Sequence, residues 1–207
     1  MPKKILYRGA EAKIRLSKYL GKTVVQKQRM QKAYRIKEID EQLIAFRTKE
    51  EAKLIAEARS HGVSVPLLYD VDLVKGSITM EYLNGHRVKD ILNKLEETER
   101  KRICLKIGES IARLHNHDLI HGDITTSNMI FLHDRVHFID FGLGSKNTEL
   151  EAKGVDLHVL MEAFESTHSK YPDCFKDVLE GYAKQFKGNA SSVVEKIEEI
   201  VRRGRYR

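Results

Sequence analysis

The chain opens on short β-compatible runs. Ile5–Arg8 is one, Gly9-Ala10 permits a tight turn, and Ala12–Leu16 alternates polar and apolar residues with a period of two. Leu20-Gly21-Lys22 marks a second turn, and the β-branched run Thr23–Gln28 follows. The period then changes. From Lys37 to Ser60, Leu43, Ile44, Ala52, Ile55 and Ala58 form much of one helical face. Gly62, after His61, is placed to close that helix in a left-handed conformation. Pro66–Asp72 and Ser77–Tyr82 predict two more strands about a Lys75-Gly76 turn, and Leu83-Asn84-Gly85 breaks the pattern.

The remainder is mostly helical. Thr98 can cap a helix running to about His117, with Ile103, Ile107, Ile111 and Leu114 on one stripe. Two short strands, Met129–Leu132 and Val136–Ile139, flank His133-Asp134-Arg135. Helices are expected near Val155–Ser166, Phe175–Phe186 and Ser191–Arg203. Five strands with one inserted helix, then helices with a small hairpin, describe an α+β chain with two lobes. The expected division is a β-rich lobe over residues 1–83 and a reduced, mostly helical lobe over 84–207.

Composition narrows the setting. A length of 207 residues allows one compact domain or two small lobes. Lys and Arg number 37 against 30 Asp and Glu, a formal charge of +7. That excess suits nucleotides, RNA or an acidic protein face, and equally a well-solvated surface. Cys104 and Cys174 have no metal-type spacing, so reduced thiols are expected. The start, MPKKILYRGAEA, lacks an apolar targeting core, and no apolar run approaches a membrane span. The expectation is a cytoplasmic chain that does not engage a membrane.

Candidate chemistry centres on HGDITTSN at His121–Asn128 and IDFG at Ile139–Gly142. Transfer of a γ-phosphoryl group needs a metal to neutralise oxygens, a carboxylate to orient the nucleophile, and fixed geometry. Asp123 supplies the carboxylate that receives a hydroxyl or water proton. Asn128 and Asp140 supply an amide oxygen and a carboxylate for magnesium. The order H-x-D-x-x-x-x-N, short hairpin, D-F-G is similar to the kinase catalytic loop. Lys27, in a β-branched strand, resembles the kinase lysine that meets ATP phosphates, and Glu51 on the following helix is its natural ion-pair partner. Thr48-x-x-Glu51 also fits a helix-capping box.

Three features depart from a free-standing protein kinase. The phosphate-covering segment around Gly9, Ala10 and Glu11 carries one glycine, and Glu11 would repel a triphosphate unless it pointed away or met a cation. Thr125 stands where many protein kinases carry lysine. Only Leu143–Val155 separates DFG from the next helix, too little for a peptide platform. The basic tail with Arg202, Arg203, Arg205 and Arg207 is compatible with a frayed terminus, with RNA phosphates, or with an acidic protein partner.

Several further matches accumulate: Arg8-Gly9-Ala10-Glu11-Ala12, Lys27-Gln28-Arg29 with Lys32-Ala33-Tyr34-Arg35, Arg47-Thr48 with Glu51-Ala52, IDFGLGS, Val155-Asp156-Leu157 and the terminal Arg-Gly-Arg. Together they resemble the small atypical protein kinase and ATPase subunit of the KEOPS (EKC) complex, which acts in threonylcarbamoyladenosine modification of tRNA. The resemblance spans nearly the whole chain. It implies a minimal bilobal protein-kinase-like fold that autophosphorylates and hydrolyses ATP with magnesium. It implies two protein partners, the threonylcarbamoyl-transferase subunit and a small subunit on the N-lobe, and a tail reaching toward the transferase and tRNA. It also implies that Met80, Glu81 and Leu83 line the adenine. Lys32-Ala33-Tyr34-Arg35 carries alanine where the resemblance leads one to expect glycine.

Three rivals stand against this reading. Small-molecule kinases share HGD…N and acidic metal ligands, but usually carry a larger C-lobe with room for a substrate pocket, which is missing here. A RIO-type kinase shares the HGD loop but usually lacks a phenylalanine beside the metal aspartate, so Phe141 argues against it. A kinase-fold scaffold that binds protein and tRNA without chemistry is opposed by the intact Lys27, Asp123, Asn128 and Asp140.

Overall fold

The computed structural model describes residues 5–8, by their backbone, and 11–204. These residues fall into two compact units, one within Met1–Glu57 and Pro66–Asn84, the other within Ala58–Val65 and Gly85–Arg207.

The first unit is an antiparallel five-stranded sheet in the order β1-β2-β3-β5-β4. Its strands are β1 (Ile5–Arg8), β2 (Ala12–Tyr19), β3 (Lys22–Arg29), β4 (Leu68–Asp72) and β5 (Ser77–Glu81). The β2–β3 hairpin turns on Leu20 at φ 46° and Gly21 at φ 79°. Two successive positive φ values match the right-handed twist of the flanking strands. Leu20 takes this conformation because its side chain is solvent-exposed and no packing opposes it. At Gly76, φ is 58° and an added Cβ would strike Ile44, so the β4–β5 turn requires glycine.

Helix α1 (Lys37–Ser60) supplies Ala52, which packs with Ile78 and Met80 of β5 while Val25 and Leu68 border the cluster. In the first turn of α1, buried Asp40 accepts the Lys32 N–H at 2.9 Å and the Arg35 guanidinium at 3.0 Å. Those bonds order the Lys32–Arg35 segment. The helix ends as its sequence predicts. Gly62, at φ 77°, donates to the Arg59 carbonyl and Val63 donates to that of Ala58, both at 3.0 Å. This pair of bonds satisfies carbonyls that the last turn leaves open.

The second unit is built on α3 (Glu97–His115), α4 (Leu150–Thr167), α5 (Asp173–Gln185) and α6 (Ala190–Gly204); a short helix α2 (Val88–Ile91) precedes them. Ile103, Ile107, Ile111 and Leu114 are all buried, as their stripe predicts. Thr98 does not cap α3. The extended residue is Glu96, φ −63° and ψ 155°, and Thr98 lies within the first turn. Glu97 and Glu99 favour the earlier start, because carboxylates there face the positive end of the helix dipole.

α3 and α5 meet backbone to backbone. A Cβ on Gly108 would overlap the Val178 carbonyl, and one on Gly181 would overlap that of Leu105. The hairpin β8 (Met129–Leu132) and β9 (Arg135–Phe138) turns on His133 and Asp134, both at positive φ, and the short strand β6 (His86–Arg87) adds to its edge. A second small pairing joins β7 (Leu119–Ile120) to β10 (Ser145–Lys146). α6 buries Val193 and Ile197, and Glu151 at the start of α4 pairs with Lys196 and Arg203. Arg205 and Arg207 lie outside the described residues. Among the described residues no helix is long and apolar enough to cross a membrane.

Candidate active site

In the first unit, β3 carries Lys27 and Arg29 two residues apart, so both side chains leave the same face of the sheet. Glu51 meets them from α1. Its Oε1 accepts from Lys27 Nζ at 2.6 Å and its Oε2 from an Arg29 Nη at 2.7 Å. All three side chains are less than a tenth exposed. The expected Lys27–Glu51 pair is therefore present, and it is a triad. Arg29 was one cation among several in the sequence, and only the strand period could have singled it out.

Thr48 sits within α1 and donates its hydroxyl to the Ile44 carbonyl at 2.7 Å, so no capping box forms with Glu51. Glu11 meets cations: its carboxylate is 3.4 Å from Arg47 and 3.9 Å from Arg29. Gly9 and Ala10 lie outside the described residues. Met80 and Leu83 are buried, and the Glu81 carboxylate accepts the Leu67 N–H at 3.1 Å.

In the second unit, the loop His121–Asn128 is tied to itself and to three helices. Asn128 donates its side-chain amide to both the carbonyl and Oδ2 of Asp123, each at 2.9 Å. Ile139 donates its N–H to the Asn128 carbonyl at 3.0 Å, which places Asp140 beside the loop. Asp140 is at φ 66°, a left-handed conformation that few non-glycine residues adopt, and Gly142 donates back to its Oδ1 at 3.3 Å. Phe141 is buried with its ring 4.5 Å from that of His121.

The loop's first anchor is Asp156 on α4. Its carboxylate accepts the backbone N–H groups of His121 at 2.8 Å and Gly122 at 2.9 Å. His115 of α3 donates Nε2–H to the same carboxylate at 3.2 Å, which leaves Nδ1 to accept from the Tyr182 hydroxyl at 3.0 Å. Burial pushes the Asp156 carboxyl up, but the hydrogen bond from His115 and the polar interactions with His115 and then His121 outweigh it and hold it below the usual range. Burial, then the charge of Asp156, push the Tyr182 phenol up, so it stays a donor.

A second anchor is His168, just past α4. Its Nδ1–H donates to Asn93 Oδ1 at 2.6 Å, and its Nε2 accepts from the Thr126 hydroxyl at 3.0 Å. Burial, reinforced by Lys89, lowers the pKa of His168. Burial likewise lowers that of His121 against the pull of Asp156. Neutral imidazoles are what these bonds require, since each ring both donates and accepts. Asp156 stood in the Val155-Asp156-Leu157 match without an assigned role. His115, His168 and Tyr182 carried no signal, because their partners lie 41 to 67 residues away.

Asp123 and Asn128 are thus bonded to each other, and Asp140 follows directly on the residue whose N–H meets the Asn128 carbonyl. The Asn128 amide nitrogen is spent on Asp123, so its oxygen faces elsewhere, and Asp140 adds a carboxylate. Such a pair of hard donors fits magnesium held jointly with phosphate oxygens.

The sequence is similar to those of known proteins over nearly its whole length. Residues 11–174 match the RIO domain family. The chain is 43% identical over 212 residues to the KEOPS complex subunit Bud32 of Pyrococcus abyssi, covering 99% of this chain and 96% of that relative. It is 45% identical over 210 residues to a probable bifunctional tRNA threonylcarbamoyladenosine biosynthesis protein of Methanobrevibacter smithii. A protein of the same description from Methanothermobacter thermautotrophicus is 45% identical over 207 residues. This chain spans 37% of the length of each bifunctional relative. The matched segment includes Phe141, so that residue does not separate the chain from RIO kinases, contrary to expectation. The distinction had rested on one side chain, whereas the match extends over both units. The chain belongs to the RIO domain family, in the group that includes the KEOPS complex subunit Bud32.

Proposed function

We propose that the protein is an ATP- and magnesium-dependent atypical serine/threonine kinase and ATPase that supports threonylcarbamoyladenosine modification of tRNA as a KEOPS subunit. The observation that carries the chemistry is the bond of Asn128 to Asp123 in a loop held next to Asp140. When bound, the magnesium nucleotide supplies the transferable γ-phosphoryl group and the charge that neutralises its oxygens. Asp123 receives the proton of the attacking hydroxyl or water, and the Asn128 amide fixes the carboxylate's orientation. Asn128 and Asp140 would hold the metal through oxygen. Lys27 offers a point charge to the α- and β-phosphates, with Glu51 and Arg29 setting its position. Met80, Glu81 and Leu83 would border the adenine, and Glu11 would lie toward the phosphates.

The relatives' names, a KEOPS complex subunit and tRNA threonylcarbamoyladenosine biosynthesis proteins, support membership of such a complex, and the finer setting is proposed with it. The partners are a threonylcarbamoyl-transferase subunit, a small subunit on the first unit, and tRNA approached through the basic surface and the tail with Arg202, Arg203, Arg205 and Arg207. The setting is cytoplasmic. Phosphate release from magnesium ATP tests the chemistry. Asp123→Ala is expected to lower it by about 10²–10⁴-fold, the usual contribution of a positioned acid–base group. An unchanged rate would remove Asp123 from the mechanism. Affinity purification is expected to recover a threonylcarbamoyl-transferase.

A further inference from the structure

Beside the loop that carries Asp123, the second unit has an open cavity of about 420 Å³. The loop contributes Thr125 and Ser127, and α4 contributes Glu162, Ala163, Ser166 and Thr167. The α4 residues recur three to four apart, so they present one helix face. Five of the lining side chains end in hydroxyl groups, and Glu162 is the one charged residue. No Lys, Arg or His lines the cavity.

That lining selects by charge. A phosphate-bearing or acidic ligand finds no cation there and meets the Glu162 carboxylate. A neutral ligand finds hydroxyls to bond. A cationic one also finds a counter-charge. The nearest cation-forming group to Glu162 is His158 on the same helix, at 3.7 Å, beyond hydrogen-bond distance. Glu162 is 65% exposed in its side chain, so an incoming group can reach it without rearranging the core. Position matters as much. The cavity begins at Thr125, two residues past Asp123, in a loop fixed by Asn128, Asp156 and His168. A segment seated there holds a neighbouring hydroxyl within a few residues of the proton acceptor.

We infer that this cavity receives the acceptor segment of a protein substrate, and that Glu162 takes an arginine side chain of that segment. The inference rests on the phosphotransferase reading, which supplies the reason for an acceptor. Arginine is favoured over lysine because its planar fork matches a carboxylate through two bonds. Glu162 is thereby a specificity-determining residue, and Thr125 leaves the cavity free of positive charge.

The test separates binding from chemistry. Fluorescein-labelled peptides carry one serine and, at each nearby position in turn, Arg, Ala or Glu. Their affinities for the full chain are read by fluorescence anisotropy. The best Arg peptide is expected to bind about two- to fivefold tighter than its Ala counterpart, the range for an exposed ion pair, and the difference to shrink in high salt. Glu162→Gln is expected to abolish the preference, Glu162→Asp to restore part of it, and Glu162→Lys to transfer it to the Glu peptide. Equal affinities for the three peptides, or a preference unmoved by Glu162→Lys, would overturn the inference. Phosphate transfer with wild type and Asp123→Ala is measured in parallel. Charge-selective binding without any Asp123-dependent turnover would sink the phosphotransferase reading and leave a peptide-binding cavity. Turnover without charge selectivity would do the reverse.

Discussion

Glu51 is the residue on which the first unit's charges balance. It is almost fully buried, and its two oxygens pair separately with Lys27 and Arg29. Replacing it by Gln would remove the buried carboxylate that these two cations share. The expected loss is about 3–5 kcal/mol of unfolding free energy, the usual penalty for breaking a buried ion pair from one side. Chemical denaturation would measure it. A double change of Glu51 and Arg29 to apolar residues is expected to lose less than Glu51→Gln alone, since the uncompensated charge is what destabilises. Asp140 illustrates a different economy at this scale. It keeps a left-handed backbone that glycine would take without strain, because glycine has no carboxylate.

At the scale of elements, close approach outweighs propensity. Gly108 and Gly181 lie inside helices, where alanine is intrinsically favoured by about 1 kcal/mol. A methyl group at either would overlap a carbonyl of the facing helix. Gly108→Ala and Gly181→Ala are therefore each expected to destabilise, by about 1–3 kcal/mol. Thermal unfolding reads the sign directly, and a rise in Tm would mean that α3 and α5 can separate at no cost.

These glycines also show what the sequence could convey. The extent of α1, its closure at Gly62, the apolar stripe of α3 and the β8–β9 hairpin were legible, since each depends on neighbours within a turn or two. The start of α3 was misplaced by the capping preference of Thr98, when extended backbone at Glu96 and carboxylates in the first turn decided it. Asp123, Asn128, Asp140, Lys27 and Glu51 were legible as types at fixed spacing. Arg29, His115, His168 and Tyr182 were not, because each acquires its role from a residue far along the chain.

At the scale of the whole molecule, the buried imidazoles set a pH dependence. His121 and His168 have pKa values depressed below 6.5 in the folded state. The unfolded chain thus binds protons first as pH falls, and folding stability declines with it. Stability is complete above about pH 6.5 and is lost progressively below it, as protonation takes from each ring the lone pair that accepts a hydrogen bond. Asp156, also depressed, adds a further loss below its ordinary value of 3.8. Tm is expected to fall between pH 7.5 and 5.5, and a double variant with His121 and His168 replaced by Gln would flatten that slope. The same slope in the variant would place the pH dependence elsewhere, His117 stacked on His61 being the next group with a depressed pKa.

The anchoring of the loop has a consequence for the order of events in synthesis. Residues 121–128 are complete early, but the groups that hold them are Asp156, His168 and, through His115, Tyr182. A nascent chain lengthens from its N-terminus, so the loop waits for some sixty later residues before its geometry closes. Until Tyr182 has emerged and packed, the loop has its direct partners Asp156 and His168 but lacks the outermost bond of the network, that of Tyr182 to His115. The support of the loop is therefore completed late, when α5 docks and brings Tyr182 to His115.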